Sequence, residues 1–140
     1  MIKFLINIRP KPQQRHRNNG RFQYDPSSKD KQDFIFLAKQ YAPTTPHKGI
    51  IELDITFCYK RPKSHYRTKN KEKILKDNSP FYKIGRPDTD NLCKFYMDAM
   101  EKLFYLNDSQ IVSLSARKLY GSVDSVMIKI IPKHYLRKFE

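Results

Sequence analysis

Alternating apolar and polar residues predict four β-strands along the chain. Residues 1–8, 49–59, 111–120 and 123–132 each place an apolar side chain at nearly every second position, which is the period of a half-buried strand. The pattern is clearest in 49–59. There the apolar positions are Ile51, Leu53, Ile55 and Phe57. Each stretch is therefore expected to bury one face and to expose the other.

The last two strands are predicted to pair with each other. Gly121 and Ser122 lie between them and suit a tight turn, so 111–120 and 123–132 are expected to form an antiparallel hairpin. Its facing apolar residues would be Val112, Leu114 and Ala116 on one strand and Val126, Ile128 and Ile130 on the other.

Two further stretches have helical periodicity. Ser27 or Ser28 is expected to cap a helix that continues to about Tyr41, because Pro43 and Pro46 follow. The predicted buried stripe of this helix is Phe34, Leu37, Ala38 and Tyr41. A second helix begins near Asn91, and its apolar residues recur at intervals of three and four. They are Leu92, Phe95, Tyr96, Ala99, Met100 and Leu103.

The order of these elements predicts an α+β fold for a single domain of residues 1–140. We expect a small mixed β-sheet of about four strands with two helices packed on one face. Two basic segments that we expect to be flexible, at about 9–23 and 60–80, interrupt this arrangement.

The charge of the chain indicates a polyanionic partner. There are 28 Lys and Arg residues against 14 Asp and Glu, which gives a net charge of +14. The excess is concentrated in residues 1–85, where 19 basic and 7 acidic residues leave +12. Residues 86–140 hold 9 basic and 7 acidic residues, or +2. The first part is therefore expected to provide most of the electrostatic attraction.

Each of the two basic segments can also be explained without any contact to nucleic acid. The segment 9–21 is broken by prolines and an Asn-Asn-Gly turn, and a solvated loop explains it as well as a nucleic-acid-contacting arm does. The run of lysines and arginines in 60–76 would ordinarily be solvated or disordered. Because this run immediately precedes a pair of aspartates, its position favours contact with a phosphate backbone.

The sequence also argues against several classes of protein. It has no apolar run of about 18 residues, as a membrane-spanning helix would need, and residues 1–11 do not resemble a signal peptide. We therefore expect a cytoplasmic protein. Cys58 and Cys93 form no CxxC motif, and the four histidines are scattered, so neither a zinc site nor a disulfide framework is supported. Glu52 and Asp54 are interpreted as solvent-facing or ion-pair residues of a half-buried strand.

The candidate chemistry is concentrated in residues 86–94, RPDTDNLCK. Pro87 disfavours a helix before it, so Asp88 and Asp90 are expected on extended chain with their carboxylates on one side. Asp90 would also begin the second helix, where a carboxylate is stabilised by the helix N-terminus whatever its function. Lys94 lies one helical turn after Asp90. Asp108 follows in the turn before the next strand.

This pattern resembles the RusA family of Holliday-junction resolvases, also called crossover junction endodeoxyribonucleases. The family's RPDxDNLxK run is matched by residues 86–94, its DALxG-like turn by Asp98 and Ala99, and its DDxQV-like element by 107–112. Asn107 stands where a second acidic residue often occurs. The match covers roughly a quarter of the chain and is far more specific than a lone DxD.

The resemblance implies a function for these residues. Asp88, Asp90 and Asp108 would hold one or two Mg²⁺ ions, and Lys94 would stabilise negative charge during phosphodiester hydrolysis. It further implies a homodimer that places paired symmetric nicks in a four-way DNA junction. The residues expected to contact DNA are Arg15, Arg17, Arg21, Lys60, Arg61, Lys63, Arg67, Lys69, Lys71, Lys73, Arg86 and Lys118.

Two rival interpretations remain from the residues themselves. In a non-catalytic nucleic-acid-binding protein, the aspartates would be helix caps and ion-pair partners of the many lysines. That alternative explains the charge but not the spacing of the three aspartates. A PD-(D/E)xK nuclease would need an acidic residue two positions before a lysine on the following strand, and residues 113–118 do not supply it.

Overall fold

The computed structural model describes residues 1–134, which form a four-stranded sheet, two helices and two small hairpins. The elements in chain order are β1 (Ile2–Ile6), β2 (Arg17–Asn18), β3 (Gln23–Tyr24), α1 (Ser28–Ala38), β4 (Ile51–Lys60), β5 (Tyr66–Lys69), β6 (Glu72–Leu75), α2 (Thr89–Met100), β7 (Ile111–Gly121) and β8 (Ser125–Pro132). The main sheet has the order β1-β8-β4-β7. The predicted α+β fold, with a mixed four-stranded sheet and two helices, is confirmed.

The predicted hairpin between the last two strands is wrong. β7 pairs with β4 in parallel, and β8 lies on the other side of β4, antiparallel to both β4 and β1. Leu114 and Ala116 are therefore opposite Leu53 and Ile55 rather than opposite the apolar residues of β8. The Gly121-Ser122 turn does not reverse the chain onto its neighbour; it takes the chain past the end of β4, where Arg61 donates its backbone N–H to the carbonyl of Gly121 (3.0 Å).

The core lies between the helices and one face of the sheet. Alternate residues of β4 from Ile51 to Tyr59 are at most 2% exposed, as the alternation predicted. The predicted stripe of α2 is also buried, except that Leu103 lies beyond the helix and is only half-buried. Phe34 of α1 contacts Tyr96 of α2 edge-on, with ring centroids 5.0 Å apart. Each large apolar side chain buried in this way contributes about 1.5–3 kcal/mol to stability.

The first helix begins at the predicted cap, Ser27, but ends earlier than predicted. Ser27 occupies the N-cap position without a capping bond, because its hydroxyl oxygen accepts the backbone N–H of Gln14 (3.0 Å). After Ala38 the chain tightens into a 3₁₀ turn, at the end of which the Tyr41 ring stacks on Phe4 with centroids 5.1 Å apart. Leu37 and Tyr41 are 38% and 40% exposed, so their predicted burial is wrong. The buried positions of α1 are Lys31, Phe34 and Ala38.

Both basic segments contain hairpins. β2 and β3 pair within the first segment, and β5 and β6 pair within the second, whose turn residues Asn70 and Lys71 have φ of 51° and 65°. The predicted flexibility of these segments stays a prediction. The polar, basic residues 133–140 are expected from the sequence to form a frayed tail, and most of them fall outside the described residues; Lys133 donates its backbone N–H to the carbonyl of Ile50 (2.8 Å). Within 1–134, no helix combines the length and apolarity needed to cross a bilayer.

The parallel register of β4 and β7 predicts the effect of one substitution. A Cβ at Gly121 would lie 2.5 Å from the Sγ of Cys58. We expect Gly121→Ala to lower the free energy of unfolding by about 1–3 kcal/mol, because the side chains at this point would be overpacked. Cys58→Ala should restore most of that loss in the double variant. Urea unfolding of both single variants and the double variant measures this, and a Gly121→Ala protein as stable as wild type would contradict the register.

Candidate active site

The N-terminus of α2 presents the two aspartates of the DxD pair. Asp88 is the N-cap residue, with extended backbone (φ −69°, ψ 143°), and its carboxylate makes no capping hydrogen bond. Asp90 lies in the first turn, where its Oδ1 accepts the backbone N–H of Asn91 (2.9 Å). The expectation of extended chain is thus confirmed for Asp88 and wrong for Asp90, while the placement of Asp90 in the first helical turn is confirmed.

The loop that leads into α2 is held by two lysines. Lys118 of β7 donates its ammonium group to the carbonyls of Gly85 and Pro87, the latter at 2.8 Å. Lys83 donates to the carbonyl of Arg86 (2.8 Å) and is itself bonded to β7 through its backbone N–H. The predicted DNA contact of Lys118 stays a prediction; in this structure its ammonium group is bonded to the loop. These bonds fix the backbone immediately before Asp88.

A groove of about 490 Å³ runs along the exposed side of α2. Asp90, Lys94 and Asp98 follow one another at intervals of four residues, so they share a helix face, and Asp108 lines the same groove from the loop before β7. Its apolar wall comes from residues such as Met97 and Leu114. Three of the four predicted catalytic residues therefore share one groove.

Asp88 lies outside this groove. It lines an adjacent cavity of about 460 Å³, together with Gln13, Arg86 and Asn91. Gln13 is attached to α2 because its backbone N–H donates to the carbonyl of Asn91 (3.0 Å). The basic segment 9–23 therefore begins beside the DxD pair.

A compact carboxylate group forms at the opposite end of α2. Ligand oxygens of Asp98, Glu101 and Asp108 all lie within 4.8 Å of one another. Within residues 1–134 this is the one group of three or more such side chains with that spacing, so Asp88 and Asp90 are not part of it. Eight residues separate Asp90 from Asp98, or roughly 12 Å along the helix axis. Asp98 and Glu101 were not among the predicted site residues; Asp98 continues the helix face of Asp90, and Glu101 is the C-cap residue of α2.

The loop of Asp108 is fixed by Gln110. The amide nitrogen of Gln110 donates to the carbonyls of His47 and Gly49, both at 2.8 Å. Its amide oxygen accepts the backbone N–H groups of Leu106 and Asn107, also at 2.8 Å. Asn107 completes a capping box, because its side chain accepts the N–H of Ser109. Asn107, the position that departs from the family pattern, therefore shapes the loop rather than adding a carboxylate.

Asp98 has a cation partner inside the protein. Lys31 of α1, only 9% exposed, donates to Asp25 at 2.6 Å and to Asp98 at 3.2 Å. Burial alone would raise the pKa of Asp25, but the hydrogen bonds from Lys31, Ser27 and Gln13 and the charge of Lys31 together outweigh it, so the pKa lies below its ordinary value. Lys31 thus offsets part of the repulsion among the groove's carboxylates.

Cys93 lies in the groove wall but does not suit the role of ligand or nucleophile. Burial, with a smaller contribution from Asp90, raises the pKa of its thiol to about 11. The thiol is therefore protonated at neutral pH, whereas metal binding and nucleophilic attack both require the thiolate. The reactive groups of the groove are its carboxylates and Lys94.

The remaining predicted residues lie on the surface and on the outer sheet face. Arg117 of β7 contacts Asp54 at 2.8 Å, and Lys133 contacts Glu52 at 3.2 Å, so the ion-pair interpretation of the two acidic residues is confirmed. Most of the basic residues expected to contact DNA are exposed. These are Arg15, Arg17, Arg21, Lys60, Lys63, Arg67, Lys69, Lys71, Lys73 and Arg86.

Comparison with known proteins agrees with this arrangement. The profile of a family described as Endodeoxyribonuclease RusA matches residues 6–131. An uncharacterised protein of Bacillus subtilis (strain 168), YqaN, is 31% identical over 135 residues, which cover 92% of this chain and 94% of that protein. A crossover junction endodeoxyribonuclease, RusA, of Lactococcus phage r1t is 46% identical over 50 residues, or 35% of this chain and 38% of its own. The chain belongs to the RusA family of endodeoxyribonucleases.

Nucleases of this family are generally dependent on a divalent metal. The donor set of the groove fits such an ion, because hard divalent cations such as Mg²⁺ prefer carboxylate oxygens. The three oxygens contributed by Asp98, Glu101 and Asp108 are close enough together to share one ion.

The hydrogen bonds of Gln110 predict that its substitution lowers the stability of the protein and loosens the Asp108 loop in particular. Gln110→Ala removes four hydrogen bonds at once, and at about 1 kcal/mol each the free energy of unfolding should fall by about 2–4 kcal/mol. Amide exchange in residues 106–109 should accelerate. Ser109→Ala, in the same loop, is the control and should change neither quantity. Unaltered exchange in Gln110→Ala would show that another contact holds the loop.

Proposed function

We propose that this protein resolves Holliday junctions by Mg²⁺-dependent phosphodiester hydrolysis, as a homodimer that places paired symmetric nicks. The observation that supports this most strongly is the groove that Asp90, Lys94 and Asp108 line together. It belongs to a chain with a net charge of +14, which suits a polyanionic substrate. A non-catalytic binder would need the charge but not the groove.

Asp88, Asp90 and Asp108 are the metal ligands that we propose, with Asp98 and Glu101 as further candidates beside Asp108. A bound Mg²⁺ ion would activate a water molecule and offset negative charge on the scissile phosphate. Because the carboxylates lie at two ends of α2, substitutions at each end can be compared directly.

Lys94 and the N-terminus of α2 are proposed to bind the phosphate. Lys94 is exposed and lies one turn from both Asp90 and Asp98, so its ammonium group can offset charge that develops on a phosphate oxygen. The free N–H groups at a helix N-terminus also favour an anion. Lys118 and Lys83 would act indirectly, because their hydrogen bonds hold the loop that positions Asp88.

The first test of this function is substitution of the three aspartates. Asp88→Asn, Asp90→Asn and Asp108→Asn should each abolish Mg²⁺-dependent cleavage of a labelled synthetic four-way junction. Binding should remain or become tighter, because each change removes negative charge that repels DNA. Asp33→Asn, at an exposed position of α1 outside the groove, is the control and should cut normally.

The same assay with Glu101→Gln separates the two ends of the groove. If Asp88→Asn and Asp90→Asn still cut at the wild-type rate while Glu101→Gln does not, the metal ligands are Asp98, Glu101 and Asp108. An aspartate variant that cuts normally removes that residue from the site.

The outer face of the sheet supports the proposed homodimer. Both helices pack on the opposite face, whereas the side chains of the outer face are half-buried or exposed. Leu5 of β1 is 46% exposed here and is paired with Met127 of β8. A two-fold dimer through this face would present two grooves at a fixed separation, which suits a substrate of nearly two-fold symmetry.

We therefore expect a dimer that prefers junctions to linear duplexes. Leu5→Glu should give a monomer by light scattering, retain binding to linear duplex and lose both the junction preference and the paired nicks. Leu37→Glu introduces the same charge at an exposed leucine of α1, 38% exposed, and should remain dimeric. A wild-type monomer, or equal binding of junction and duplex at about 0.15 M salt, would contradict the resolvase function.

A further inference from the structure

Basic side chains surround two tyrosines at the carboxyl ends of β4 and β7. Tyr59 and Tyr120 are register partners on the neighbouring strands. Arg9 and Lys83 both lie 5.2 Å from the centroid of the Tyr59 ring, and Arg61 lies 5.7 Å from that of Tyr120. Lys83 is also within 5.9 Å of the Tyr120 ring. These residues line a cavity of about 400 Å³, which we call the cation–tyrosine cavity.

The positive charge of this cavity is poorly compensated. Its lining includes Arg9, Lys60, Arg61 and Lys83 but one carboxylate, Asp124. Asp124 lies 3.6 Å from Arg9, and the same oxygen accepts the backbone N–H of Lys60. In residues 1–134, neither Arg61 nor Lys83 forms an ion pair with a carboxylate. An anion in the cavity would therefore reduce repulsion between cations.

The surroundings of Lys83 destabilise the charged form of its side chain. Burial lowers the pKa of its ammonium group, and the nearby charges of Lys118 and Arg9 lower it further. The face of each tyrosine ring stabilises these cations without neutralising them. The cavity therefore retains charge that an incoming anion can bind.

The cations are held in place before any ligand arrives. Arg61 donates to the carbonyl of Pro80 (2.7 Å), and the hydroxyl of Tyr59 donates to that of Pro10 (3.2 Å). Lys83 is fixed by its bond to the carbonyl of Arg86. Fewer side chains must be ordered on binding, which lowers the entropic cost of association.

We propose that the cation–tyrosine cavity binds a backbone phosphate of DNA other than the phosphate in the groove. A DNA phosphate is the expected anion because the chain has a net charge of +14 and belongs to a family of endodeoxyribonucleases. Lys83 links the cavity to the loop before Asp88, so the bound phosphate would fix the strand relative to α2. This last statement rests on the proposed active site, whereas phosphate binding in the cavity does not.

The test measures binding without metal, so it is independent of cleavage. Lys83→Gln and Arg9→Gln are each titrated with a synthetic four-way junction and a linear duplex in EDTA, and single phosphates are replaced in turn by uncharged methylphosphonates. Wild type should bind about tenfold more weakly when one particular phosphate is replaced, as expected for a charge-assisted hydrogen bond. Each variant should bind unmodified DNA about tenfold more weakly than wild type and be little affected by replacement of that phosphate. The slope of log K against log salt should become shallower by about 0.9 for each phosphate that the variant no longer neutralises.

Lys39→Gln is the matched control. Lys39 is an exposed lysine that also stacks on an aromatic ring, with its Nζ 4.8 Å from the centroid of Phe36, but it lies outside the cavity. It should retain the methylphosphonate sensitivity of wild type, and so should Lys83→Arg. Arg9→Gln keeps the proposal testable if Lys83→Gln disturbs the loop before Asp88, because Arg9 does not bond to that loop.

Two outcomes would overturn the proposal. One is that both Gln variants remain as sensitive as wild type at every phosphate, and the other is that they bind DNA no more weakly than Lys39→Gln does. A third outcome separates the two proposals. If replacing one phosphate of the linear duplex weakens binding by wild type but not by the Gln variants, and wild type does not cut junctions, the resolvase function fails and the phosphate site stands.

Discussion

The parallel pairing of β4 with β7 is the constraint on which the groove depends. Two neighbouring parallel strands require the chain to return from the end of one to the start of the other, and α2 makes that return across the buried face. The helix must therefore run opposite to both strands. Asp88, at its N-terminus, lies near the carboxyl ends of the strands, whereas Asp108 lies near their starts. The position of every candidate residue in the groove follows from this direction.

Several of the many basic residues position other groups instead of facing solvent. Lys118 bonds to the loop before Asp88, Lys31 joins α1 to Asp98, and Arg117 pairs with Asp54 on the outer face. Because Lys31 and Arg117 are paired with carboxylates of the protein itself, these two residues add little to the charge available for DNA. The exposed cations of the two hairpins, such as Lys69 and Lys71, are left to attract the phosphate backbone.

The sequence predicts what local periodicity determines and misses what depends on distant partners. Alternation in β4 and the apolar stripe of α2 identify buried faces because each is set by the geometry of a single element. Alternation does not identify the neighbour of a strand, so Gly121 suggested a hairpin that the crossover through α2 prevents. Asp98 and Glu101 were missed for a related reason. Charged residues on the exposed face of a helix resemble an ordinary solvated surface until a loop from elsewhere brings Asp108 beside them.

The direction of α2 also makes the two ends of the groove differ in electrostatic potential. The N-terminus of a helix has a partial positive charge and the C-terminus a partial negative charge, so the end near Asp90 and Lys94 favours a phosphate. The other end combines the helix C-terminus with Asp98, Glu101 and Asp108, and Lys31 offsets only part of their negative charge. The helix charge therefore favours a cation at the Asp108 end, whereas a cation held by Asp88 and Asp90 would have to overcome the partial positive charge of the helix N-terminus. The direction of this one helix therefore gives the two ends of the groove partial charges of opposite sign.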